Sequence, residues 1–87
     1  MQSEQVRRGT LQLAGAPAVL SHVRLSVSGH GGYDEVGIRT AELEWNVLAS
    51  FLNEHQAAAV FAAVNDTAVD RAGDLDDTVR EAVSGAR

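Results

Sequence analysis

The sequence predicts an α+β fold: a three-stranded antiparallel β-meander followed by two or three C-terminal α-helices packed on one face of the sheet. From about Val6 to Arg39 the apolar residues recur every second position, around two glycine-rich interruptions. From Leu43 onward they recur every three or four, the period of helices. The third observation is size, since 87 residues make one small domain whose core is one sheet face under a few helices. The change of period at Thr40 divides the chain into a meander over 6–39 and a helical part over 40–84. Residues 1–5 and 85–87 are expected to fray.

The first expected strand runs from Val6 to Ala14, with Leu11 and Leu13 on one face and Thr10 and Gln12 on the other. A bulge at Gly9 would bring Val6 to the Leu11 side. Gly15-Ala16-Pro17 reads as the turn. The second strand, Val19 to Ser28, has the clearest alternation in the chain. Val19, Val23, Leu25 and Val27 are expected to face the core, and His22, Arg24, Ser26 and Ser28 the solvent. Gly29-His30-Gly31-Gly32 is a hairpin loop, and Tyr33 to Arg39 returns as the third strand with Val36 and Ile38 inward.

Thr40 is a suitable N-cap, with Glu42 in the first turn. The helix expected through Leu52 spreads Leu43, Val47, Phe51, Leu48, Leu52 and Trp45 over an apolar arc of roughly 200°. That is wider than one sheet face covers, so the arc is expected to meet a partner as well. Asn53 and Gln56 form a capping box, which either starts a second helix or sits within a longer one. Thr67 to Asp70 is expected to make a short turn ended by Gly73. A last helix then starts at Asp74 and carries Leu75, Val79, Ala82 and Val83 inward, with Asp76 and Arg80 paired outside.

Composition narrows the function. The chain carries net charge −5 and no cysteine, which removes disulfides, thiolate metal sites and thiol nucleophiles. Residues 1–39 hold four arginines against three carboxylates, and residues 40–87 three against nine. An acidic chain is a poor nucleic-acid binder, because that affinity comes from clustered cations. No apolar run approaches the ~20 residues that span a bilayer. Met1–Gln5 lacks the apolar stretch of a secretory signal, so a cytoplasmic location is expected.

The chemistry-bearing residues do not assemble into a strong motif. His30 and Asp34 on one hairpin supply two of the three or four ligands a metal needs, so neither a metal nor another cofactor is expected. The glycine loop leads into a strand rather than a helix, unlike a phosphate cradle. Ser21 and His22 point to opposite faces, and no carboxylate is placed to orient the ring, though Glu35 lies on the neighbouring strand.

The reading that survives is a small acidic non-enzymatic protein that works by protein–protein contact with itself, as a homodimer, or with another protein. An inhibitor, an immunity-type protein or an accessory or phage-encoded regulator fits its size and charge. The contact residues expected are Trp45, Leu48 and Leu52 on the far side of the arc, and the acidic group Asp74, Asp76 and Asp77. The alternative is a nucleic-acid-binding module using the polar sheet face through Arg8, Arg24 and Arg39.

Overall fold

Strand pairing continues further along the chain than the apolar spacing indicates, so four strands precede the first helix. The computed structural model describes residues 2–29, 31–42 and 44–86. In it β1 (Gln2–Leu13), β2 (Ala16–Val27), β3 (Gly31–Arg39) and β4 (Asn46–Leu52) pair antiparallel in sequence. Then come α1 (Glu54–Val64), a two-residue β5 (Ala68–Val69) and α2 (Ala72–Gly85). The sheet order is β4-β3-β2-β1-β5, with β5 parallel to β1. The fold is α+β as expected, but the sheet has five strands and is mixed rather than a three-stranded antiparallel meander.

The largest correction concerns residues 40–52. None of the described residues there is helical, and Thr40 caps no helix among them. The strand β4 takes one extra residue between its pairings with Gly37 and Val36, and another between Val36 and Asp34. Each inserted residue resets which face the next side chain meets. Two resets within seven residues turn a period of two into spacings of three and four, which imitates a helix. Leu43, the first residue of the expected arc, lies outside the described residues.

Strand β1 takes its extra residue at Val6, between Gln5 and Arg7, not at Gly9. The absence of a side chain at Gly9 serves a close approach instead: a Cβ there would meet Asn65 Oδ1 at 2.0 Å and Phe61 Cζ at 2.9 Å. The β1–β2 turn is Ala14-Gly15, both left-handed at φ 50° and 80°, as a two-residue primed hairpin loop requires. Ala16 and Pro17 therefore belong to β2, and Pro17 lies beyond the last β3 pairing at Val19, where no neighbour requires its missing donor. Residues 2–5 pair with residues 23–26 of β2 rather than lying loose. At the other terminus Gly85 closes α2 and Ala86 is buried.

The Asn53 capping box is present and starts α1. Asn53 Oδ1 accepts from Gln56 N at 2.7 Å, and Gln56 Oε1 accepts from Asn53 N at 3.1 Å. Ala57, Val60, Phe61 and Val64 form its buried stripe. Beyond it Asp66, at φ 61°, donates its N–H to Thr10 O at 2.7 Å. Gln12 N then donates to Thr67 O, so the segment expected to turn becomes β5. Gly73 and Asp74 lie in the first turn of α2, whose N-cap Arg71 makes no side-chain cap bond. On its outer face Arg80 pairs with Asp77 at 3.5 Å rather than with Asp76.

Both helices cover the same face of the sheet. The core joins Leu11, Ala18, Leu20, Val36, Ile38 and Leu52 of the strands to the α1 stripe and to Leu75 and Val79 of α2. β1 and β3 present the residues expected inside. β2 is inverted: Ala18, Leu20 and His22 face the helices, and Val19, Val23 and Leu25 face away. Because side chains alternate, a one-residue error in assigning the inner set exchanges the two faces completely.

Candidate functional site

The inversion of β2 leaves its most apolar set on the side that no helix covers. The cross-strand rows of this open face follow from the register: Thr10–Val19–Arg39, Arg8–Ser21–Gly37–Val47, Gln5–Val23–Glu35 and Ser3–Leu25–Tyr33. Gly37, Ser3 and Ser21 are the smallest members; the Trp45 ring occupies the space over Gly37, and the face is hollow around Ser21. A cleft of about 510 Å³ runs along β2, with Val19, Ser21, Val23 and Leu25 as its floor. Ser3, Gln5 and Arg8 form one wall, and Glu35, Arg39 and Trp45 the other.

Two contacts fix Trp45 itself, and a third bond holds the segment before it. Its ring lies over Gly37, where a Cβ would come within 2.6 Å of Cζ2. Its indole N–H donates to Glu35 Oε1 at 3.0 Å. The arginine of the first row steadies the connection before it, as Arg39 Nε donates to Glu44 O at 2.6 Å. Ser50 Oγ donates to the second oxygen of Glu35 at 2.9 Å. A buried carboxylate on β3 thereby tethers Trp45, just before the bulged edge strand, and Ser50 within it, and the two neutral donors satisfy it in place.

Beyond the cleft stands an exposed aromatic. Phe51 is 79% accessible, against 36% for Trp45 and 44% for Val47. It adopts φ 55° at the second bulge of β4. A left-handed conformation costs a residue with a Cβ about 1–2 kcal/mol, and for a bulky side chain it is an outlier. The ring is braced against Tyr33, with centroids 4.5 Å apart. Strain of this kind persists where the surrounding structure holds it and tends to occur at binding sites.

The residues singled out from sequence are distributed over different surfaces. Trp45 lies on the open face. Leu52 is core and Leu48 packs against that core, so the three do not share an arc. Asp74, Asp76 and Asp77 are exposed on α2, on the far side of the sheet. Arg8 and Arg39 line the cleft, but Arg24 points to the helix side, so the three arginines share no face. Sequence reasoning missed Val19, Val23, Leu25, Val47 and Phe51 as site residues. The signal for the first three was present, because they form the strongest alternation in the chain, but it was assigned to the core.

Under α1 the inverted β2 buries an ionic cluster instead. His22, fully buried, approaches Asp34 Oδ2 through Nε2 at 2.8 Å. Arg24 Nε donates to Asp34 Oδ1 at 3.1 Å, and its guanidinium also pairs with Glu54 at 3.6 Å. Burial alone would push the Asp34 carboxyl up. The hydrogen bonds from Arg24 and His22, with their charges, outweigh it and hold the carboxyl below its usual range. The same contacts raise Arg24, first through its hydrogen bond to Asp34. Among the described residues His22 Nδ1 is buried without a hydrogen-bond partner, so Asp34 is the partner of the ring. Both side chains of the pair are buried. Glu35, the carboxylate considered for His22, lies on the opposite face. His30 is outside the described residues, and among the described residues no three histidines and carboxylates group around a metal position. Among them too, no helix is long and apolar enough to cross a membrane.

No protein-family model matches the chain, and neither a curated protein nor a solved structure matches it.

Proposed function

We propose that the protein acts by protein–protein contact, without catalysis, and that the open face of the sheet is the contact surface. One observation carries this reading: the most apolar alternating set in the chain, Val19, Val23 and Leu25, lies on the face that no helix covers. A sheet face in water is ordinarily polar, whereas a two-sided apolar sheet is ordinarily covered on both sides. The flanking Trp45, Val47 and Phe51 extend the apolar area to the edge strand. The molecule exposes 5487 Å², about a tenth more than the ~4,900 Å² typical of a monomer of its mass.

The nucleic-acid reading keeps only Arg8 and Arg39 on this face. Two cations on a chain of net charge −5 give little counterion release.

Val23→Glu tests the contact reading, because it places a charge in the cleft floor without touching the helix-side core. The variant is expected to fold, and to lose whatever identified species the tagged wild-type protein retains, whether a second copy or another protein. Retention of the same species by both proteins would contradict the reading.

A further inference from the structure

The face holds both a knob and a hole, and this makes it complementary to itself. We propose that two copies meet open face to open face, with Phe51 of each seated in the cleft over Ser21, beside Trp45, of the other. The inference rests on the contact reading above and adds the occupant. Phe51 stands at the β4 edge beside Tyr33, and the cleft centre lies two cross-strand rows away along β2. A two-fold axis in the plane of the contact, midway between knob and hole, superposes each on the other's counterpart. This is the condition for a closed, isologous dimer, in which residue i meets j and j meets i.

Size and charge agree with that occupant. A benzene ring fits a cavity of about 150 Å³, so a cleft of about 510 Å³ admits the Phe51 ring with room for a neighbour such as Val47. Among the cleft-lining residues only Glu35 is acidic, and Trp45 and Ser50 already engage it. The carboxylates of α2, Asp74, Asp76, Asp77 and Glu81, lie on the opposite layer. Face-to-face packing therefore keeps the strongly negative surfaces of two acidic molecules apart. Arg8, in the cleft wall, is placed to meet the incoming ring as a cation over its face. Edge-to-edge pairing through β4 is the competing arrangement, and the two bulges of that strand oppose it, since bulging is a device that prevents an edge from pairing.

Reciprocity gives the test. Mass is measured by sedimentation equilibrium from micromolar to millimolar for the wild type, Phe51→Ala, which removes the knob, and Ser21→Trp, which fills the hole. Ser21→Leu replaces the latter if it fails to fold; Phe51 is too exposed for its loss to unfold the domain. The wild type is expected to dimerise, and each variant to weaken the dimer at least about ten-fold. An equimolar mixture of the two variants is expected to recover a heterodimer, because one intact knob then meets one intact hole. A wild type that stays monomeric throughout would overturn the inference while leaving the contact reading to the Val23→Glu comparison. A dimer indifferent to both variants, or a mixture with no recovery, would overturn the knob-and-hole arrangement.

Discussion

Asp34→Ala is expected to destabilise the fold by about 3 kcal/mol at neutral pH, read as a lower urea midpoint at unchanged slope. A domain of 87 residues has only roughly 4–13 kcal/mol in total, so this loss is a large share. The reason lies in what the alanine leaves behind. Among the described residues His22 Nε2 loses its one acceptor while fully buried, and Nδ1 already has no partner. Arg24 retains solvent and Glu54, so the cost falls mainly on the buried ring.

The same cluster sets a dependence on acid. The Asp34 carboxyl is held below its unfolded value, so the unfolded chain binds the proton first as pH falls. Its contribution is complete above the ordinary carboxylate range near pH 4 and is lost as pH falls through the lowered folded value. Urea midpoints between pH 2 and 6 are expected to fall more steeply for the wild type than for Asp34→Asn. Parallel curves would show that the pairing of Asp34 with Arg24 and His22 contributes nothing to stability.

Gly9→Ala is the second large effect, expected at about 2–4 kcal/mol from overpacking with a lost hydrogen bond. Its Cβ would displace the Asn65 side chain, whose Oδ1 accepts from Thr10 N at 3.2 Å, and would also press on Phe61 in the core. Asn65 follows the last residue of α1, so the substitution loosens the join between that helix and β1. Gly9→Ala with a thermal midpoint within a degree or two of wild type would mean that Asn65 has another place to go.

The sequence carried more of the fold than of the site. The facing of β3 and of the second half of β1 was legible because Leu11, Val36 and Ile38 alternate with their neighbours, but the first residues of β1 and the place of its bulge were not. The α1 cap was legible because Asn53 and Gln56 have the one spacing that satisfies both amides. β5 was not legible, since two residues carry no period. β4 was hidden by its two bulges, which gave Trp45, Val47, Leu48, Phe51 and Leu52 the spacing of a helix. The open face was misread for a physical reason as well. Core assignment from alternation assumes that the more apolar side is covered, and here the helices sit on the side with His22, Arg24 and Asp34. The error that inverted β2 and the evidence for a contact surface are thus the same observation.

Trp45, the single tryptophan, lines the cleft and reports its occupancy directly. Its emission and its quenching by acrylamide are to be followed as concentration rises, alongside the measured mass. Occupation of the open face predicts that the emission shifts to shorter wavelength and the quenching weakens as the mass doubles. Emission and quenching that stay constant while the mass doubles would place the contact elsewhere and contradict the account.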